Sequence, residues 1–148
     1  MAVGFLISEG KLSLDENVYD IFEKRNGLLQ KILRPNLTVE HLLTMKSGVQ
    51  FNEMGVVSGN DWVDSFLNAP VKGTPGEAFE YNSMNTYLLS AIIQERTGMK
   101  MADYLRPRLF EPLGIRKVFW ESCPAGITKG GWGLFLCPED AAKLGVMY

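Results

Sequence analysis

Apolar residues recur at helical spacing through most of this chain. The clearest pattern runs over residues 84–96 and stops at Thr97-Gly98. Its apolar stripe consists of Leu88, Leu89, Ile92 and Ile93. Apolar positions three and four residues apart fall on one face of a helix, and glycine is a common residue after a helix end. The pattern therefore predicts one long amphipathic helix in the second half of the chain.

Two further helices are predicted near the N-terminus. The stretch Val3–Ile7 has hardly a polar position, which is typical of a helix that is buried on all sides. The sequence Ser13-Leu14-Asp15-Glu16 has the spacing of a capping box. We expect it to open a short helix whose apolar face is Val18, Ile21 and Phe22.

Three more helices are predicted from their end signals. Thr38 is a suitable N-cap for a helix over Val39–Met45, with Ser47-Gly48 after its end. Asn60 or Asp61 caps a helix that ends before Asn68-Ala69-Pro70. Residues 101–110 are helical in pattern, although Pro107 should kink or interrupt the helix. Strand patterns are few, at residues 117–120 and 134–136, so the chain is predicted to be mainly α.

Composition and charge narrow the classes of function. The chain has 148 residues, 46% of them hydrophobic, and a net charge of -2. These values are typical of one globular unit, and the Lys and Arg residues are scattered, so no nucleic-acid partner is predicted. No apolar run approaches the length of a membrane span. We therefore expect no membrane segment in this chain, and nothing in it indicates a cellular compartment.

The potential ligands for a metal or a cofactor are sparse. The sequence has one histidine, His41, and two cysteines, Cys123 and Cys137. The cysteines could bridge, but their spacing is not that of a metal site, so we interpret them as structural thiols. We interpret His41 as a structural hydrogen-bonding residue. Neither a metal nor another cofactor is expected.

The most informative segment is Tyr81-Asn82-Ser83, which follows a Pro75-Gly76 turn and precedes the long predicted helix. A side chain at a loop-to-helix junction can point into a cleft, beside free N–H donors and the positive end of the helix dipole. Tyr81 is therefore a candidate base. The alternative is a boundary residue whose hydroxyl is satisfied by backbone.

Several segments resemble, in order, those of the serine β-lactamase and penicillin-binding superfamily, and chiefly its class C-like branch of DD-peptidases, esterases and amide hydrolases such as 6-aminohexanoate-dimer hydrolase. The stretch from Pro75-Gly76 through Tyr81-Asn82-Ser83 resembles the second catalytic motif of that superfamily. Further resemblance lies in residues 6–15, 37–48, 109–115 and 130–134. The resemblance implies the helical lobe of an α+β fold, with most of its sheet missing from this chain.

The resemblance also implies roles for individual residues. Tyr81 would take the proton of a serine nucleophile and later protonate the leaving group. Ser83 stands where the family often has Asn, so it would contact the substrate, or alternatively it caps the following helix. Gly131 and Trp132, in the sequence Gly130-Gly131-Trp132-Gly133, would form a wall of the cleft that contacts the substrate. The alternative is a turn whose tryptophan fills the core.

Two other family motifs are not expected within this chain. Ser8-Glu9-Gly10-Lys11 has the spelling of the nucleophile motif Ser-Xaa-Xaa-Lys, but Gly10 predicts a helix end inside it. The resemblance places the true serine before Met1 and a Lys-Thr-Gly or His-Xaa-Gly type motif after residue 148. Residues 1–148 are thus expected to be a single partial domain, truncated at both ends.

Two hypotheses of function follow from the sequence. In the first, a longer serine hydrolase acts on a small-molecule or peptide-like amide or ester through an acyl-enzyme, while this chain alone is inactive. In the second, a penicillin-binding-like fold serves as a non-catalytic binding or sensor module. Under either hypothesis, we do not expect one chain to cover the apolar surfaces of both the helix Val3–Ile7 and the stripe of the long helix. This predicts a homo-oligomer.

Overall fold

The computed structural model describes residues 1–25, 34–51 and 59–147. Within these ranges the chain is mainly helical, with one antiparallel pair of short strands, as the sequence predicts. The α-helices are α1 (Ala2–Ser8), α2 (Val18–Ile21), α3 (Val39–Leu43), α4 (Trp62–Asn68), α5 (Ser83–Thr97), α6 (Met101–Leu105) and α7 (Pro138–Met147). The strands are β1 (Phe119–Trp120) and β2 (Leu134–Phe135), and short 3₁₀ and π-helical turns cover Glu23–Arg25 and Arg106–Phe110.

Helix α5 is the centre of the fold. Helices α1, α3, α4 and α6 all pack against it. Its predicted stripe is buried, and so are Met84 and Tyr87 on other sides of the helix. The helix ends at Thr97 because Gly98 adopts the left-handed conformation, with φ +69°. Because four helices surround α5, it is buried on several sides, which explains the long apolar run in its sequence.

Burial of α1 corrects the sequence prediction. Val3 and Leu6 are buried, whereas Ile7 is 36% exposed, so the helix is not buried on all sides. The expectation that α1 and the stripe of α5 cannot both be covered by one chain is also wrong. The two helices contact each other and both contact α6, and Ala2, Val3 and Leu6 of α1 are buried together with the stripe of α5 within one chain.

The N-caps of α3 and α4 are those predicted. The Thr38 hydroxyl accepts the His41 N–H, and Asp61 accepts the Asp64 N–H. The predicted cap of α2 is wrong, because the helix begins after Asn17, whose side chain accepts the Tyr19 N–H at 2.8 Å. Ser13 instead belongs to a turn, since Asn17 is still extended and bridges to Thr38.

The second half of the chain contains one interruption and one helix that the sequence analysis missed. Helix α6 ends at Leu105, and a π-helical turn that includes Pro107 follows it, as the proline predicts. Strands β1 and β2 pair in antiparallel register, with Phe119 opposite Phe135. Helix α7 was not predicted, although Pro138 at its start and two acidic residues in its first turn are N-terminal signals.

Among residues 1–25, 34–51 and 59–147, no helix has the length and apolar character needed to cross a membrane. The same residues contain no cluster of three or more His, Cys, Asp and Glu side chains that could hold a metal ion. Cys123 is buried and Cys137 is exposed, and both are free thiols.

The Glu9 carboxylate joins the end of α1 to α6 and to the π-helical turn that follows it. It accepts hydrogen bonds from Lys11 Nζ at 2.6 Å, Arg108 Nε at 2.9 Å and the Tyr104 hydroxyl at 3.1 Å. The Arg108 guanidinium also lies over the Tyr104 ring, 3.9 Å from its centroid. The hydrogen bonds, that from Lys11 first, lower the pKa of Glu9 from its ordinary 4.5 to about 2.

We expect Glu9→Gln to lower the melting temperature near neutral pH. Because the pKa of Glu9 is lower in the folded chain than in the unfolded chain, its contribution is fully present above about pH 4.5 and is lost as the pH falls towards 2. Thermal unfolding followed by circular dichroism from pH 2 to pH 7 measures this difference. The control is Glu95→Gln, at an exposed position of α5. An effect of Glu9→Gln that is equally large at pH 2 and pH 7 would contradict the assignment.

Candidate functional site

Tyr81 lies immediately before the N-cap of α5. Its side chain is 70% exposed, and its hydroxyl makes no hydrogen bond with any residue in the part of the chain that the structure describes. The backbone on either side of it is well held. The Glu80 N–H donates to the Met45 carbonyl at 2.9 Å, and Asn82 caps the helix. Tyr81 is therefore a free polar group on a fixed backbone, beside the positive end of a fifteen-residue helix.

Asn82 is the residue that fixes this junction, and the sequence analysis assigned it no role. Its side-chain oxygen accepts the Met84 N–H at 2.9 Å, and its amide nitrogen donates to the carbonyls of Val49 at 3.1 Å and Phe51 at 2.9 Å. One side chain thus joins the start of α5 to the loop after α3. Asparagine is among the preferred N-cap residues, so the signal was present in the sequence.

The loop after α3 also contacts α5 and the Pro75-Gly76 turn that precedes Tyr81. The Ser47 hydroxyl donates to the buried Asn85 side chain at 2.8 Å, and the Gly76 N–H donates to the Lys46 carbonyl at 2.8 Å. His41 Nδ1 accepts the Thr38 N–H at 3.3 Å. A Cβ atom on Gly76 would lie 2.8 Å from His41 Nε2, so the ring packs directly against the loop. This geometry agrees with the interpretation of His41 as a structural residue.

Ser83 is the first residue of α5 and is only 4% exposed. The N-cap is Asn82, so the alternative that Ser83 caps the helix is wrong. The reason is that Asn82 is still extended and its side chain reaches the free Met84 N–H. The segment containing Gly131 covers Ser83, because a Cβ atom on Gly131 would lie 3.1 Å from the Ser83 Cβ.

The two glycines at 130 and 131 pack against the first turns of α5. A Cβ atom on Gly130 would lie 2.5 Å from the Thr86 carbonyl oxygen, and one on Gly131 would lie 2.9 Å from the Ser83 carbonyl oxygen. Gly130 also has a φ of +71°, which disfavours other residues. This close approach brings the Gly130-Gly131-Trp132 segment and Tyr81 to the same end of α5.

Trp132 is half-buried. Its ring stacks on Trp62, with 6.0 Å between centroids and 20° between planes. Its carbonyl accepts the Trp120 indole N–H at 3.0 Å. Trp132 is partly exposed as a residue, whereas Trp62 is buried against Tyr87, at 5.3 Å between ring centroids. Trp62 lies just after the predicted cap at Asn60 or Asp61, and nothing in the sequence connects it with Trp132.

Tyr87, one turn into α5, is the obvious rival of Tyr81 as a base. It is fully buried, and its hydroxyl lies 3.3 Å from Cys123 Sγ in a hydrogen bond. Burial, followed by the contact with Cys123, raises the pKa of Tyr87 far above its ordinary value. Tyr87 is therefore a neutral core residue, and Tyr81 is the tyrosine that a ligand can reach at this end of the helix.

The comparison with known families decides the identity of the fold. The family model described as "Beta-lactamase" matches residues 1–145. This chain belongs to the Beta-lactamase family. The resemblance to the serine β-lactamase and penicillin-binding superfamily is thereby confirmed.

The chain is similar in sequence to an esterase and to a penicillin-binding protein. Esterase EstB of Burkholderia gladioli is 28% identical over an alignment of 134 residues, which covers 78% of this chain and 34% of that protein. Penicillin-binding protein 4 of Amycolatopsis lactamdurans is 28% identical over an alignment of 117 residues, which covers 76% of this chain and 30% of that protein. The chain thus spans about a third of the length of these two relatives.

Solved structures of the Beta-lactamase fold agree with this placement. A putative 6-aminohexanoate-dimer hydrolase from Bacillus anthracis superposes with a TM-score of 0.80 at 19% identity, over 97% of this chain and 42% of that one. An octameric penicillin-binding protein homologue from Pyrococcus abyssi superposes with a TM-score of 0.71 at 27% identity, over 99% of this chain and 41% of that one. The first of these likenesses shows the fold alone.

Ser8-Glu9-Gly10-Lys11 does not form the helical turn that the nucleophile motif of this Beta-lactamase family needs. Helix α1 ends at Ser8, and Gly10 has a φ of +67°. The Ser8 hydroxyl donates to the Phe5 carbonyl at 2.9 Å, and Lys11 pairs with Glu9 at 2.6 Å. The serine and the lysine therefore each have another partner.

Proposed function

We propose that this chain supplies the proton-transferring tyrosine and one wall of the cleft in a longer serine hydrolase. That hydrolase would act on amide or ester bonds through an acyl-enzyme. The observation that supports this most is the free hydroxyl of Tyr81, held beside the N-terminus of α5 in a chain of the Beta-lactamase family. The names of two relatives, an esterase and a penicillin-binding protein, support the same reaction class.

The proposed reaction needs a serine from a part of the hydrolase outside this chain. Its hydroxyl attacks the substrate carbonyl, and Tyr81 accepts the proton and passes it to the leaving group. Water then attacks the acyl-enzyme, with Tyr81 as base again. Tyrosine is a weak base at neutral pH, so a neighbouring lysine is required to favour its phenolate form. Lys11 is paired with Glu9 at the end of α1, so we assign that role to a lysine of the nucleophile motif.

The cleft wall is assigned to the Gly130-Gly131-Trp132 segment. Trp132 is partly exposed and offers an apolar contact to a small-molecule or peptide-like substrate. Gly131 is exposed, so a substrate can approach its backbone. Ser83 lies beneath Gly131 and is only 4% exposed, so it would contact a substrate through the small part of it that is accessible.

Self-association is a separate part of the proposal. Phe119 and Phe135 are both exposed on the two-stranded sheet, with 5.7 Å between their ring centroids. Burial of these rings against a second copy would remove apolar surface from water. The penicillin-binding protein homologue from Pyrococcus abyssi is octameric, which supports such an arrangement.

We expect this chain on its own to hydrolyse neither nitrocefin nor p-nitrophenyl esters above background. The reason is that Ser8 and Lys11 have other partners and do not form the nucleophile motif. The complete polypeptide, meaning the longer hydrolase that contains this chain, should hydrolyse an ester or an amide. Absorbance assays on both proteins measure the difference.

The matched control is Ser8→Ala in the complete polypeptide. That variant should keep its activity, because Ser8 is not the nucleophile. Loss of activity in a Ser8→Ala protein with an unchanged melting temperature would contradict the assignment. A complete polypeptide that binds penicillin but turns over no ester or amide would favour the non-catalytic module.

A further inference from the structure

The Glu121 backbone forms hydrogen bonds with both ends of the loop that contains Trp132. Its N–H donates to the Gly133 carbonyl at 2.9 Å, and its carbonyl accepts the Lys129 N–H at 2.9 Å. Glu121, which directly follows β1, is therefore paired with both ends of a five-residue loop, Lys129–Gly133. Within this loop the Gly131 N–H donates to the Lys129 carbonyl at 2.7 Å, which makes a tight turn.

The Glu121 side chain also contacts both ends of this loop. Its carboxylate forms an ion pair with Lys129 Nζ at 2.5 Å, and Lys129 is only 20% exposed. The Lys129 ammonium also lies 5.7 Å from the centroid of the Trp132 ring. A Cβ atom on Gly133 would lie 2.9 Å from the Glu121 Cβ, so the side chain packs against the far end of the loop as well. The carboxylate thus fixes the cation that faces the indole ring.

Other contacts hold parts of the loop that Glu121 does not reach. The Trp120 indole N–H fixes the Trp132 carbonyl, and Trp62 supports the ring by stacking. Neither contact fixes the Lys129 side chain. In the absence of the carboxylate, that ammonium is free to leave the indole ring for solvent, because a lysine side chain is long and strongly hydrated.

We propose that Glu121 is a positioning residue that acts through Lys129 to set the position of Trp132 in the cleft. The consequence is selectivity for esters or amides with an aromatic or other large apolar group on the side that contacts Trp132. The positioning itself concerns residues of this chain, whereas the selectivity rests on the proposed function.

The first test is spectroscopic and uses this chain. The stacked indoles of Trp62 and Trp132 should give a strong near-ultraviolet circular dichroism signal, and Glu121→Gln should reduce it while the far-ultraviolet spectrum is unchanged. The control is Asp140→Asn, which removes an equivalent ion pair, to Lys143 at 2.6 Å, on α7. Lys129→Met should reduce the signal to the same extent, because it removes the cation that faces the indole ring. A signal that Glu121→Gln leaves unchanged would overturn the positioning.

The second test is kinetic and uses the complete polypeptide. Glu121→Gln should raise KM for p-nitrophenyl phenylacetate about 3- to 5-fold, the upper part of the range expected for loss of a partly exposed ion pair, with little change in kcat. KM for p-nitrophenyl acetate should change much less, because its acyl group is too small to need Trp132. Equal effects on both esters would overturn the selectivity. Absence of all hydrolysis by the wild-type polypeptide would refute the proposed function, and the spectroscopic test would still decide the positioning.

Discussion

Tyr81→Phe should lower the turnover of the complete polypeptide by about 10²- to 10⁴-fold, the usual contribution of general acid–base catalysis. The substitution removes the hydroxyl and keeps the ring. Steady-state hydrolysis of the best ester or amide substrate measures the effect. We expect kcat and kcat/KM to fall together, because proton transfer acts in the transition state rather than in substrate binding.

The melting temperature of the Tyr81→Phe variant distinguishes a loss of catalysis from a loss of folding stability. Tyr81 is 70% exposed and its hydroxyl has no hydrogen-bond partner among the described residues, so Tyr81→Phe should leave the melting temperature unchanged. The matched control is Tyr104→Phe, which removes a hydroxyl that bonds Glu9 and should leave turnover nearly unchanged. A Tyr81→Phe variant that keeps most of its activity would refute the role of the base.

Gly130→Ala should destabilise the fold by about 2 to 5 kcal/mol, the sum of two separate costs. A φ of +71° costs a residue with a Cβ atom about 1 to 2 kcal/mol, and overpacking costs about 1 to 3 kcal/mol. The overpacking arises because the new Cβ would lie 2.5 Å from the Thr86 carbonyl oxygen, which belongs to the backbone of α5 and cannot easily move.

Denaturant unfolding measures this change, and α7 provides the control. A Cβ atom on Gly145 would meet nothing within 4 Å, and Gly145 lies within a helix. Gly145→Ala should therefore leave the stability unchanged or raise it by up to about 1 kcal/mol. If Gly130→Ala were as stable as the wild type, the close packing of the Gly130-Gly131-Trp132 segment on α5 would be wrong.

Local signals in the sequence were sufficient to predict the helices that build the site. The stripe and the terminal Gly98 predicted α5, and Thr38 and Asp61 predicted the starts of α3 and α4, because caps and periodicity depend on neighbouring residues. Ser13 misled the analysis for the same reason. Its spacing to Glu16 satisfies the capping box. The helix nevertheless begins only after Asn17, because Asn17 is extended and bridges to Thr38.

The contacts between distant segments could not be predicted from the sequence. The motif and the loop-to-helix junction made Tyr81 a candidate base, and its role stays a prediction. The motif did not show that Asn82 takes the N-cap position from Ser83, or that Gly131 covers Ser83. The pairing of Glu121 with both ends of the Trp132 loop depends on the register of two short strands, which periodicity alone does not fix.

The most direct measurement is the location of the acyl group on the complete polypeptide. The protein is incubated with penicillin or a slow ester substrate, quenched in acid, digested and analysed by mass spectrometry. Our account predicts one acyl group, on the serine of a Ser-Xaa-Xaa-Lys sequence and not on Ser8, that forms much more slowly in Tyr81→Phe. An acyl group on Ser8, or none on any serine of a protein that turns over its substrate, would contradict it.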